Sequence, residues 1–328
     1  MRSRRNNNKL RKHGRKMRSR RQKGGTTDVF TPRTPEELQN AVERWMDNDR
    51  EGLGNISDWD TSNIMDMSNL FAAYDTFNQD ISRWDVSKVT DMTRMFFYAL
   101  NFNQPIGSWD VSNVTNMENM FFRAIAFNQP IGSWNVSNVT NMGSMFSEAK
   151  TFNQPIGSWD VSRVTNMQRM FEKAIAFNQP IGDWDISNVT NIKWMFGGAS
   201  AFNQPIGNWD VSNVSDMGFM FFGAEDFNQP IGNWDVSNVN VMWDMFDNSG
   251  YTYEEPSIER SKQRNRDKQN LVNLHEDVVS NPKKLKMSKS TRKVLSLKPD
   301  QGPSIKKIKE YLGGKSKRKT RKNHRKKK

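Results

Sequence analysis

A tryptophan returns every 25 residues through the middle of this 328-residue chain, at Trp59, Trp84, Trp109, Trp134, Trp159, Trp184, Trp209 and Trp234, with no insertion between copies. A unit of this length is too short to enclose its own apolar side chains, so like units must lie against one another and bury them in a shared core. The unit from Trp109 reads WDVSNVTNMENMFFRAIAFNQPIGS. Two phenylalanine columns keep the same step, Phe71 through Phe246 and Phe77 through Phe227. The expected architecture is an α/β repeat: a leucine-rich-repeat-like solenoid of eight 25-residue coils over residues 53–250.

Within a unit, VSNVTNM is β-branched and rich in asparagine, which suits one short parallel strand and a turn. The following MENMFFRA sets Met117, Met120, Phe121 and Ala124 at the spacing of a short helix with one apolar face. In FNQPIG the helix must stop, because Pro105, Pro130 and their equivalents lack an amide proton and Gly107 or Gly132 permits a turn. Ahead of the array, Thr34, Pro35 and Glu37 form a helix start, and Leu38, Ala41, Val42, Trp45 and Met46 share one face. A helix over about 35–48, inside an N-terminal cap of residues 28–52, is expected to cover the first coil. Val241 and Trp243 are expected to shield the last one.

Charge divides the chain into three parts. Residues 1–23 hold 12 Lys and Arg and no acid; residues 251–328 hold 25 against 8; the body between them holds 12 against 28 acids. An acidic body therefore sits between two basic arms, residues 1–27 and 251–328, expected to be disordered for want of apolar periodicity. Arg2, Arg4 and Arg5 open one arm, and Lys317, Arg318, Lys319, Arg321 and Lys322 lie near the end of the other. Polycations of this density bind nucleic acid by counterion release, or act as nuclear import signals. An acidic protein, an anionic membrane surface and plain solubility are the weaker readings. IKKIKEYL places Ile305, Ile308 and Leu312 on one side of a short basic helix, marginal by itself.

Most catalytic constellations lack their residues. The chain has no cysteine, and its histidines, His13, His275 and His324, all lie in the arms. No enzyme, metal or cofactor is expected. Asp60, Asp85, Asp110, Asp160, Asp185, Asp210 and Asp235 follow the repeat tryptophans, with Asn135 interrupting them. A glycosidase-type pair or a row of calcium sites is the sharp reading; an Asx-type turn, which Asn135 can share, is the favoured one. The Asn-Gln column from Asn78 to Asn228 reads as an amide ladder rather than a ligand face, and the Met and aromatic columns read as core. Asn113, Asn138, Asn188 and Asn213 open glycosylation sequons but read as repeat asparagines. Units differ at Ser108, Ser133, Ser158, Asp183, Asn208 and Asn233, and along the expected helix exterior at Arg94, Glu118, Gly143, Gln168, Lys193 and Gly218. Such positions are where a binding face would be written. The expected function is a non-enzymatic scaffold whose body binds a protein while the arms bind nucleic acid or direct nuclear import. The alternative is a nucleic-acid or virion packaging protein with the body as a spacer.

The string WDVSNVTNM, then MF, an alanine, FNQPI and the next tryptophan resembles the BspA-like leucine-rich-repeat surface proteins, also described as a mycoplasma lipoprotein-type repeat. That resemblance implies a solenoid and, for bacterial members, adhesion at the cell surface. Those members carry a secretion signal or lipid anchor; the start MRSRR fits neither, so an intracellular, nuclear or virion-associated location is expected. The ending GGKSKRKTRKNHRKKK is similar in composition to basic tails on some giant DNA virus proteins.

Overall fold

The computed structural model describes residues 29–267 and 269. Successive units lie one on the next as tiers, numbered 1 to 8 from each repeat tryptophan. Among the described residues, seven parallel bridges of one residue pair each join neighbouring tiers, from Asp66 with Asp91 to Asp216 with Val241. Beside each bridge the backbone bonds in both directions: Thr115 donates its amide to the Thr90 carbonyl at 2.9 Å, and Met117 to Asn141 at 3.0 Å. The strand expected over VSNVTNM contracts to this one bridged residue. Just ahead of it the Val114 amide turns back to the Val111 carbonyl at 2.9 Å, which bends the chain out of extended geometry.

The short helix expected in each unit does not form. From Met117 to Ala124 the amides alternate in their partners. Those of Met120, Phe122 and Ala124 reach three residues back within the tier, while those of Asn119, Phe121 and Arg123 cross to Gly143, Met145 and Ser147 in the next. Asn119 and Arg123 both sit at φ 57°, at the third position of successive turns. That conformation is typical of a type II turn and costs a non-glycine residue about 1–2 kcal/mol. The strain repeats in every tier, and glycine relieves it at Gly198 and Gly223. Tier spacing explains the substitution of turns for helix. Equivalent rings in adjacent tiers are 5.4–5.8 Å apart in the Phe71 to Phe246 column and 6.0–6.5 Å apart for the tryptophan pairs Trp59–Trp84, Trp134–Trp159 and Trp209–Trp234. Packed helices need about 8–10 Å between axes, so one helix per tier cannot be stacked at this pitch.

The apolar columns face inward. In tier 3, Trp109, Val111, Val114, Met117, Met120, Phe121, Ala124, Phe127 and Ile131 are buried, and the same columns are buried through the array except at its ends, where Tyr74, Met242 and Phe246 are half-buried. From Trp84 to Trp234 each indole N–H donates to the carbonyl of an isoleucine 28 residues earlier, as Trp134 does to Ile106 at 3.1 Å, and Trp59 donates to the Leu53 carbonyl at 2.7 Å. Within a tier the two phenylalanines stack face to face, 4.0 Å apart for Phe121 and Phe127.

Both ends are closed. Helix α1, Pro35–Met46, is capped by the Thr34 hydroxyl, which accepts the Glu37 amide, and buries Leu38, Ala41, Val42 and Trp45. Phe30 covers the first tryptophan of the column edge-on, 4.9 Å from Trp59. At the other end Trp243 does not shield the core: it is 65% exposed. Tyr251 does so, stacked 4.1 Å from Phe246 and 6.0 Å from Phe227. The following helix, described over residues 258–267, seats the fully buried Ser261 on the Trp234 carbonyl at 3.2 Å. The packed region therefore runs past 250 into the segment expected to belong to the basic arm. No helix among the described residues is long and apolar enough to cross a membrane.

Candidate functional site

Three sides of each tier are spent on holding the next tier. The Asn153 backbone amide donates to the side-chain oxygen of Asn128 at 3.0 Å, and the Gln154 side chain donates to the same oxygen at 2.9 Å; the pattern of amide donation recurs from Asn78 to Asn228. The sequon asparagines Asn113, Asn138, Asn188 and Asn213 donate their side-chain amides to Ser87, Ser112, Ser162 and Ser187 carbonyls at 2.7–2.8 Å. Thr140 and Thr165 do the same with hydroxyls at 3.2 Å. These columns are uniform because one hydrogen-bond geometry repeats along them.

The aspartates after the tryptophans point outward and close local turns. Asp85, Asp110, Asp160, Asp185, Asp210 and Asp235 each accept the amide of the serine two residues on, at 2.9–3.1 Å, and Asn135 accepts from Ser137 at 3.2 Å. The Ser87 hydroxyl and amide hold the Asp85 carboxyl below its ordinary value, and Ser112, Ser162 and Ser187 act likewise on Asp110, Asp160 and Asp185. Asp85 opposes this shift in Asp110, as like charges in one column must. Asp235 also accepts from Asn265 of the terminal helix at 3.0 Å. Among the described residues no group of three or more His, Cys, Asp or Glu is placed to hold a metal.

Variation is concentrated on the fourth side, the run of turns after each bridge. Its outward columns pass through Thr93, Arg94, Phe97 and Tyr98 of tier 2 and their equivalents. Arg94 is thus in register with Asn119 and Ser144, not with Glu118 and Gly143 as the sequence reading had it; Thr93 holds that place. Glu118, Gln168 and Lys193 do lie on this side, half-buried, and Gly143 and Gly218 are buried. Ser108, Ser133, Ser158, Asp183, Asn208 and Asn233 are exposed on a different edge.

Two aromatic groups mark this side, and neither was singled out from the sequence. In tiers 2 and 3 Phe97 and Phe122 stack at 5.0 Å, Tyr98 leans on Phe122 at 5.5 Å, and the guanidinium groups of Arg94 and Arg123 lie over Phe97 and Tyr98. In tiers 6 and 7 Trp194 and Phe219 stack at 4.5 Å, with Phe222 at 5.4 Å from Trp194 and Arg169 over its ring. All six rings are half-buried, covering one another rather than the core. Their signal was available: they are aromatics outside the core columns. Between the groups runs a polar waist, where Glu148 pairs with Arg123 at 3.1 Å and Glu172, 7% exposed, is held by Arg169 and Ser147.

The basic-arm residues Arg2, Arg4, Arg5, Lys317, Arg318, Lys319, Arg321 and Lys322, the three histidines and the 305–312 stretch lie outside the described residues. No curated protein and no solved structure matches the chain. Two tandem matches, over residues 38–158 and 144–259, fit the family described as Mycoplasma protein of unknown function, DUF285, and the chain belongs to that family.

Proposed function

We propose that this chain is a non-enzymatic interaction scaffold, a rigid solenoid of the leucine-rich-repeat-like kind whose turn-run side binds a protein partner. One observation carries this reading: three sides of every tier repeat nearly unchanged, whereas outward variation and half-buried aromatics outside the core gather on one side. Aromatic and arginine side chains are the residues that dominate protein interfaces. Lys, Glu and Ser would suffice for solubility; stacked Trp, Phe and Tyr beside arginine would not be needed for it.

The basic arms extend the reading. Their charge suits attachment to nucleic acid or nuclear import, and with it an intracellular or virion-associated location, as the composition of viral basic tails does. Adhesion, as in BspA-like bacterial members, uses the same binding side with a different address. The test uses the full chain in three forms: unaltered, with Phe122→Ser and Trp194→Ser, and with Lys317, Arg318, Lys319, Arg321 and Lys322 all changed to Gln. Cross-linked partners recovered from cells should be lost in the aromatic variant and kept in the tail variant, while salt-sensitive nucleic-acid binding should weaken only in the tail variant. Identical partners from all three would refute the proposed binding side and favour a packaging role with the tiers as a spacer.

A further inference from the structure

We propose that the turn-run side takes an extended acidic segment of another protein through two apolar anchors, one in each aromatic group. This rests on the interaction reading above and specifies its ligand.

The two groups are discrete, which sets a spacing. Phe122 in tier 3 and Trp194 in tier 6 are three tiers apart, and Phe97 and Phe219 five. At about 4.8 Å per tier these separations are roughly 14 and 24 Å, which an extended chain at about 3.3 Å per residue spans in about four to seven residues. Ser147, Glu172 and Gly197, which hold the column of Phe122 and Phe222 across the waist, are all buried, so no aromatic stands between the two groups to offer a third anchor.

Charge on this side runs against the rest of the body. Residues 24–250 carry 28 acids against 12 bases, yet across tiers 2 to 7 the outward columns here carry five bases and three acids. The three carboxylates are already engaged, Glu148 and Glu172 with three of those bases, which leaves Arg94 and Lys193 as the cations to be matched. Glu118 accepts from Asn119 and Asn141, Glu148 from Arg123 and Lys173, and Glu172 from Arg169 and Ser147. Arg94 lies over Phe97 with its charge facing outward, and Lys193 at 3.8 Å from Asp216 is only loosely paired. An acidic ligand complements these cations. A nucleic-acid strand is disfavoured, because five cations spread over roughly 19 Å neutralise few phosphates and the body as a whole is acidic. The chain's own arms are basic and would be repelled from the same cations.

The test measures binding of fluorescein-labelled peptides to the full chain by anisotropy. One peptide carries two tryptophans separated by five Asp and Ser residues; its isomer has the same composition with the tryptophans adjacent; a third replaces Asp by Lys. Every chain keeps its arms and the first two peptides share one charge, so attraction to the arms cancels between them. The spaced peptide should bind at least tenfold more tightly than its isomer, and Phe122→Ser or Trp194→Ser should each abolish most of that difference. Arg94→Glu and Lys193→Glu, at positions that pack no core, should weaken the spaced peptide although every aromatic residue is retained. Isomers that bind alike overturn the two-anchor ligand, and if partner capture is still lost in the aromatic variants the broader interaction reading stands. A thymidine 20-mer whose affinity falls in the aromatic variants while the peptides ignore them would assign the side to nucleic acid instead. Self-association by sedimentation that the aromatic changes abolish would assign it to a second copy of the chain.

Discussion

A β-carbon on Gly207 would stand 2.6 Å from the carbonyl oxygen of Pro230 in the next tier. The backbone itself fills the space, so no side-chain rotation relieves the overlap. The same meeting recurs at Gly107, Gly132, Gly157 and Gly182, each against the proline of the following tier. Gly207→Ala should therefore lower stability by about 1–3 kcal/mol, read as a shift in the urea midpoint. An unchanged midpoint would mean that the tiers slide past one another freely.

Gly223 answers to a different constraint. Its φ is 66° and an added β-carbon would meet nothing closer than Gly198 at 3.8 Å, so only backbone strain opposes alanine there. Gly223→Ala should cost about 1–2 kcal/mol, and Lys173→Gly, at φ 53° in the same column, should recover part of such a cost. A pair of urea titrations separates the two signs; a destabilising Lys173→Gly would contradict the strain argument.

Removing a rung of the amide ladder should cost more than its exposure suggests. Asn128 accepts from both the Asn153 amide and the Gln154 side chain, and Asn128→Ala leaves the first without a partner. About 1–3 kcal/mol is expected. Asn128→Asp keeps the accepting oxygen, so it should lose clearly less in the same melt.

Acid should weaken the array through the aspartate turns. A carboxyl whose pKa falls on folding stabilises the fold above its unfolded value and loses that contribution as pH falls through the folded one. For Asp85, Asp110, Asp160 and Asp185 the unfolded value is about 3.9, so the urea midpoint should hold above about pH 5 and decline below about pH 4. Asp160→Asn with Asp185→Asn keeps the turn acceptor, as Asn135 does for Ser137, and should flatten the decline. A doubly substituted chain with the same acid profile would place the sensitivity elsewhere.

The period of Trp59 to Trp234, the buried identity of Met117, Met120, Phe121 and Ala124, and the capping of α1 from Thr34 were all legible in the sequence, since each depends on residue type and spacing along the chain. The conformation of those same buried residues was not. An i, i+3, i+4, i+7 pattern reports which positions face inward, and a run of turns with Asn119 and Arg123 at positive φ buries the set that a helix would. Only the distance between tiers decided between them: rings stacked at 5.4–5.8 Å leave no room for a helix in each tier and give every second amide a partner next door. The same packing brought Phe97 beside Phe122 and Trp194 beside Phe219, residues 25 apart in sequence, and so gathered scattered aromatics onto one side. It also carried the packed region past Trp243 to Tyr251 and Ser261, because an open tier exposes apolar rings until something with matching shape covers them.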